Sequence, residues 1–191
     1  MRLVLASRNA HKLRELRALL APHTLLALPD EVALPPETGS TYAENALGKA
    51  RAAAAATGSP AVADDSGIEV AALGGAPGIR SARHAGEHAS DEENLSKLLA
   101  DVPQDGDTRA AYVCALALVR PDGGELCVEG RCEGRLTHAI RGGAGFGYDP
   151  AFVPDGLADG RTMAELTQEE KDAIGHRGRA ARMLLDRMTG G

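Results

Sequence analysis

Two adjacent carboxylates, Asp64 and Asp65, stand between the short apolar run Ala61-Val62-Ala63 and the pair Ser66-Gly67. Side by side they repel unless a cation or a proton intervenes, so the pair suits metal or water chemistry. Successive strand residues point to opposite sides, which leaves one carboxylate for a site and gives the other a structural role. The pattern predicts that a strand ends here and a turn begins. A turn in which an aspartate bonds its own backbone is the competing reading of Asp-Ser-Gly.

Candidate phosphate-binding and cationic groups lie elsewhere in the chain. Ser7-Arg8-Asn9-Ala10-His11-Lys12 links a first strand to a helix N-terminus. Open backbone N–H groups and the helix dipole favour phosphate there, and Lys12 adds a positive charge one turn in. The same residues also fit an Asn N-cap followed by a surface lysine. Glu44 forms a capping box with Thr41, a role that stabilises a helix without chemistry. It becomes a metal candidate if the fold brings it near Asp65. Asn45 and Lys49 share one face of that helix. Seventeen of the 21 basic residues are Arg, so Lys12, Lys49, Lys97 and Lys171 are candidates for roles that need a compact ammonium.

The chain has no Trp, two Phe and three Tyr, yet Phe146, Tyr148 and Phe152 fall within seven residues. In Gly145-Phe146-Gly147-Tyr148-Asp149-Pro150 the glycines let the backbone approach a ligand, and the rings can stack on a base. A hydrophobic plug beneath a glycine loop is the alternative. Lys171, His176 and Arg177 can supply donors to a base or phosphate, or form a solvated helix start. His84 and His88 have i, i+4 spacing but lack the Glu of a zinc-protease motif, so no metal is expected there. Taken together, these residues point to a magnesium-dependent enzyme acting on a nucleoside triphosphate.

The elements that must position them alternate. Leu3-Val4-Leu5-Ala6 reads as a buried strand and Leu13, Leu16, Leu19 and Leu20 as the apolar side of a helix ending before Pro22. A helix from Thr41 to Gly58, a strand at 61–64 and an extended stretch at 68–73 follow. Ser90 with Glu93 opens another helix. Residues 109–120 and 125–136 form two long strands joined as a hairpin at Pro121-Asp122-Gly123-Gly124. Thr167 caps a helix with Glu170, and a last helix starts at His176. This order predicts an α/β fold on a mixed sheet. Neither a G-x-x-x-x-G-K-[ST] loop nor a G-x-G-x-x-G fingerprint supplies a phosphate cradle.

A chain of 191 residues buries roughly 70% of its unfolded surface and is read as a single domain over 1–191. The formal charge of −6 without a basic run argues against nucleic-acid or anionic-membrane binding. No stretch approaches the ~20 apolar residues of a membrane helix, and the N-terminus lacks a signal-peptide pattern, so a soluble, cytoplasmic protein is expected. Cys114, Cys127 and Cys132 lack C-x-x-C spacing and read as reduced thiols.

In order, the segments at 5–16, 41–50, 63–67, 73–83, 142–150 and 164–178 closely resemble the inosine/xanthosine triphosphate pyrophosphatase family. These enzymes remove deaminated purine nucleotides from the precursor pool. Six separated motifs in one order are far more specific than any one alone. The resemblance implies two lobes around a long mixed sheet flanked by helices, a cleft between the lobes, Mg²⁺, and a homodimer. It implies phosphate binding by Ser7, Arg8, Asn9, Ala10, His11 and Lys12, metal binding by Glu44 and Asp65, and catalytic roles for Asp65, Lys12 and Lys49. Ser66 lies beside them, and Phe146, Gly147, Tyr148, Asp149, Lys171, His176 and Arg177 match the base-binding set. Two positions depart from the pattern: Gly175 stands where Ser is usual, and His84 where an aromatic ring is common.

The implied reaction is Mg²⁺-dependent hydrolysis of ITP, dITP and XTP to the monophosphate and pyrophosphate. Lys171, His176 or Arg177 and Asp149 would match the O6 acceptor and N1–H donor of inosine and xanthosine. Alternatives are a phosphatase that releases orthophosphate, a nucleotide sensor without turnover, and a Maf-type pyrophosphatase of related architecture. The GFGYDP and GHR segments argue against the Maf-type reading.

Overall fold

The computed structural model describes residues 1–190. Among them a six-stranded sheet runs in the order β2-β1-β3-β4-β5-β6. Its strands are β1 (Arg2–Leu5), β2 (Thr24–Ala27), β3 (Ala61–Val70), β4 (Arg109–Val119), β5 (Glu125–Leu136) and β6 (Phe152–Pro154). The helices are α1 (Ala10–Leu19), α2 (Tyr42–Thr57), α3 (Asp91–Asp101), α4 (Gln168–Ile174) and α5 (His176–Thr189). β1 pairs in parallel with β2 and β3, whereas β5 and β6 are antiparallel. β4 and β5 are neighbours joined by a short turn, a link that only antiparallel strands can use. The expected mixed α/β sheet is therefore the one formed.

The described residues fold into two compact units, one of residues 1–65, 114–130 and 176–190, the other of residues 66–113 and 131–175. Each has its own apolar core. The first gathers Leu3, Leu5, Leu16, Leu20, Val62, Leu116 and Leu184. The second gathers Ile68, Leu98, Tyr112, Leu136, Phe152 and Met163, with the Tyr112 and Phe152 rings tilted at a centroid distance of 4.7 Å.

Local sequence explains most element ends. Asn9 caps α1, accepting from the N–H groups of His11 and Lys12. α2 ends at Gly58 in the left-handed conformation that a glycine adopts without strain. Ser90 and Glu93 form the expected capping box of α3, and Thr167 and Glu170 that of α4. Ala46, Ala50 and Ala53 are fully buried, and these small side chains let α2 lie against β1.

Two expectations change. The predicted turn after Asp64 does not form, because β3 runs unbroken from Ala61 to Val70 through both aspartates. Their carboxylates bond to other side chains, which removes the local bond that makes an Asp turn. The short strand β2, which the sequence pattern does not predict, forms because Leu25 is buried beside Leu3 of β1. Four residues are too few to show a period. Among the described residues no helix is long and apolar enough to cross a membrane.

Gly130 marks a close approach of β5 to α5. A Cβ there would sit 2.3 Å from the His176 carbonyl oxygen and 2.5 Å from the Ala180 nitrogen, both backbone atoms. Gly130→Ala is expected to destabilise the protein by about 3 kcal/mol, read from the midpoint of urea denaturation.

Candidate functional site

The first group of expected site residues lies in the first unit, on β1–α1, α2, β3 and the start of α5. Asp64 is fully buried, and its Oδ2 accepts from Lys12 Nζ at 3.0 Å and from Arg177 Nε at 3.3 Å. Arg177 Nη1 donates in turn to Glu15 Oε2 at 3.1 Å. Lys12 and Glu15 are three residues apart on one face of α1, so that helix presents a cation and an anion to β3 and α5. Two positive and two negative charges thus meet within the protein. Burial by itself would raise the Asp64 carboxyl. The charges of Lys12, Arg177 and Lys49 outweigh it and hold the group far below the usual carboxylate range.

Asp65 has the opposite balance. Burial pushes its carboxyl above the ordinary value, and Lys49 and the bond from Asn45 offset only part of that rise. Asn45 Nδ2 donates to Asp65 Oδ2 at 2.9 Å, while Asn45 Oδ1 accepts the Gly39 N–H at 2.8 Å, which fixes the amide's orientation. The other oxygen, Oδ1, lies 3.9 Å from Lys49 Nζ. Lys49 also donates to Glu37 and to the Asp64 carbonyl oxygen. Burial would lower the Lys49 ammonium, but Asp64, Glu37 and Asp65 together keep it above its usual value. Adjacent carboxylates whose environments push them apart in this way are suited to different tasks.

The remaining members of this group have defined partners. Ser7 Oγ accepts the Asn9 N–H at 3.2 Å, and His11 Nδ1 lies 2.7 Å from Arg14 Nη2. Ala10 is exposed at the first position of α1, and His176 is buried at the first position of α5. The Arg8 guanidinium bonds to the carbonyl oxygens of Leu28, Pro29, Asp30 and Val32, so it anchors the 28–32 loop. Glu44 Oε2 accepts from the Ser40 N–H at 2.7 Å and the Ser40 hydroxyl at 2.9 Å. The Thr41 hydroxyl accepts the Glu44 N–H, and the Glu44 carboxylate bonds chiefly to Ser40, with the Thr41 N–H contributing less. Glu44 therefore secures the start of α2. The carboxylate that shares Lys49 with Asp65 is Glu37.

The second group lies in the second unit. Asp149 Oδ2 accepts from Lys171 Nζ at 2.7 Å and from the Phe146 N–H at 3.1 Å. Lys171 Nζ also stands 5.2 Å from the centre of the half-buried Phe146 ring. Gly145 has φ +80°, and a Cβ there would fall 2.1 Å from Asp149 Oδ2, so the side chain that organises this loop needs glycine beside it. Gly147 and Ser66 are half-buried. The expected aromatic set divides. Tyr148 and Phe152 belong to the core, with Tyr148 Oη donating to the Ser81 carbonyl oxygen at 2.7 Å. Phe146 is the one of the three whose ring is only half-buried, since Tyr148 and Phe152 pack into the second core. Gly175, the first departing position, ends α4, and a Cβ there would lie 2.7 Å from the Lys171 carbonyl oxygen. His84, the second, lies 2.9 Å from Asp101.

Glu37, Glu15 and the ion-pairing role of Asp64 are not singled out by the sequence pattern. For Glu15 the available signal is its i, i+3 relation to Lys12 on a face that carries Leu16 and Leu19. Glu37 offers none, since it lies in a loop twelve residues before its partner.

Asp64→Asn should lower stability by about 3 kcal/mol at pH 7, because it leaves buried cations without their counter-charge. The depressed folded-state value fixes the sign of the pH effect. Asp64 contributes fully above the unfolded carboxyl value of ~3.9 and loses that contribution as pH falls further. Urea titrations should show the gap between wild type and variant narrowing below about pH 4.

With this geometry in view, comparison with known proteins gives consistent relatives. A "dITP/XTP pyrophosphatase" of Streptomyces coelicolor is 54% identical over 192 residues, covering 96% of this chain and 95% of its own. A protein of the same name from Frankia alni is 56% identical over 198 residues, with 96% and 95% covered. The solved structure of the Staphylococcus aureus Ham1 protein superposes with a TM-score of 0.88 at 38% identity, covering 100% of this chain and 99% of the other. The model of the Ham1 family matches residues 3–187, and the chain belongs to that family.

Proposed function

We propose that the protein hydrolyses non-canonical purine nucleoside triphosphates, dITP, ITP and XTP, to the monophosphate and pyrophosphate. The observation that carries this reading is the split between the two aspartates. Asp64 is locked as a counter-ion to Lys12 and Arg177, whereas Asp65 is held by Asn45 with its second oxygen beside Lys49 and Glu37. The first group of residues suits a triphosphate and the second a purine. The relatives' names and the family membership support the same substrate class.

One or two carboxylates are the usual protein share of a Mg²⁺–nucleotide site, and Asp65 with Glu44, whose carboxylate is exposed at the start of α2, suits that share. In this reading Asp65 and the exposed Glu44 would hold Mg²⁺, while Glu37 holds the Lys49 ammonium. Bound Mg²⁺ would supply charge neutralisation for the triphosphate and acidify water nearby. Asp65 takes the proton of the attacking water, a role helped by its raised carboxyl. Water adds at the α-phosphorus, the bond to the bridging oxygen breaks, and pyrophosphate leaves. Lys12 and Lys49 offset the negative charge moving toward the leaving group. Ser7, Asn9, Ala10 and His11 border the triphosphate at the start of α1.

Phe146 stacks on the base, while Lys171 donates to O6 and Asp149 accepts from N1–H. An adenine would present its N6 donor to the Lys171 ammonium, also a donor, and its N1 acceptor to the Asp149 carboxylate, also an acceptor, so neither contact would form. The family resemblance further supports a cytoplasmic homodimer.

Purified protein with Mg²⁺ is expected to release pyrophosphate and the monophosphate from dITP and XTP, with little turnover of GTP. Orthophosphate and a diphosphate would instead place the attack at the γ-phosphorus and overturn the assignment. Asp65→Asn should reduce kcat by about 10³ while the folded state persists. Activity should rise from acid toward alkaline pH, as the base form of Asp65 and the more reactive water both gain. A flat profile between about pH 6 and 9, with chemistry rate-limiting, contradicts this.

A further inference from the structure

We infer that Asp91 is a positioning residue that fixes the loop carrying Phe146 and so sets how the purine is received. The inference rests on the reading of Phe146 and Lys171 as base contacts.

Asp91 Oδ2 accepts the Gly147 N–H at 2.9 Å, a bond between α3 and a loop 56 residues away. The loop has little stiffness of its own, since Gly142, Gly145 and Gly147 all have positive φ. Its other bonds hold different points. Ala144 N–H donates to the Ala164 carbonyl oxygen at 3.1 Å, Phe146 N–H to Asp149, and Tyr148 Oη to Ser81. The peptide that follows Phe146 is the one Asp91 holds. Without that bond, rotation about Gly147 would turn the Phe146 ring relative to Lys171.

α3 is a firm support for this tether. Its first turn is closed by the Ser90–Glu93 capping box, and Leu95 and Leu98 are buried in the second core. A carboxylate at the first position of a helix is further favoured by the helix dipole. Asp91 itself is exposed, so shortening it leaves no cavity. Its effect is therefore separable from folding.

The test compares wild type with Asp91→Ala and Asp91→Asn, using dITP kinetics and amide hydrogen exchange of residues 142–148. For Asp91→Ala, KM for dITP should rise about fivefold with kcat within about twofold, the melting temperature lowered by no more than about 3 °C for the lost helix-end charge, and exchange at the Gly147 amide faster. Asp91→Asn keeps an oxygen acceptor and should restore both readouts. Unchanged exchange in Asp91→Ala would show that no tether exists. Faster exchange with an unchanged KM, or a KM change that tracks a larger fall in melting temperature, would overturn the positioning role. Failure of the wild type to hydrolyse dITP would instead overturn the function proposed above, a result the exchange data separate from loss of the tether.

Discussion

Asp64 is fully buried between an ammonium and a guanidinium, and the arrangement of the first unit follows from that constraint. A carboxylate moved out of water without partners costs several kcal/mol. Here Lys12 arrives from α1 and Arg177 from the first turn of α5, and Glu15 balances the second guanidinium edge. Each helix is thereby fixed in rotation as well as in depth, since a small turn of either would part an ion pair in a region from which water is excluded. Apolar packing of Leu16, Leu20 and Leu184 supplies most of the burial but is tolerant of sliding. The ion network is not.

The same constraint explains why neighbouring aspartates differ. Alternation along β3 sends Asp64 toward α1 and α5 and Asp65 toward α2. Asp64 meets more positive charge than its burial costs and is held ionised. Asp65 meets one lysine that it shares with Glu37, and burial prevails. A stable counter-ion and a responsive base thus arise from identical side chains one residue apart. Lys49 links them, bonding the carbonyl oxygen of one and facing the carboxylate of the other.

The second unit solves a different problem, holding a glycine-rich loop in one shape. Glycine at 145 is required because the Asp149 carboxylate folds back into the space a side chain would fill. Tyr148 is drawn into the core and leaves Phe146 as the ring at the surface. One aromatic anchors the loop from below, and the other stands half-buried beside Lys171.

Much of this was legible in the chain itself. The alternation of strands and helices, the caps at Asn9, Ser90, Thr167 and Gly58, and the β4–β5 hairpin depend on residues within four or five positions of one another, so local chemistry determined them. The resemblance of six separated segments also brought Lys12, Lys49, Asp65 and Lys171 forward as site residues. Tertiary structure alone decided that β3 continues through Asp64 and Asp65, that Glu37 pairs with Lys49, and that Arg177 closes an ion network with Glu15 across 162 residues. Those outcomes depend on which charges meet after the chain has folded. Coulomb energy and burial depend on distance in space, and sequence spacing does not encode it.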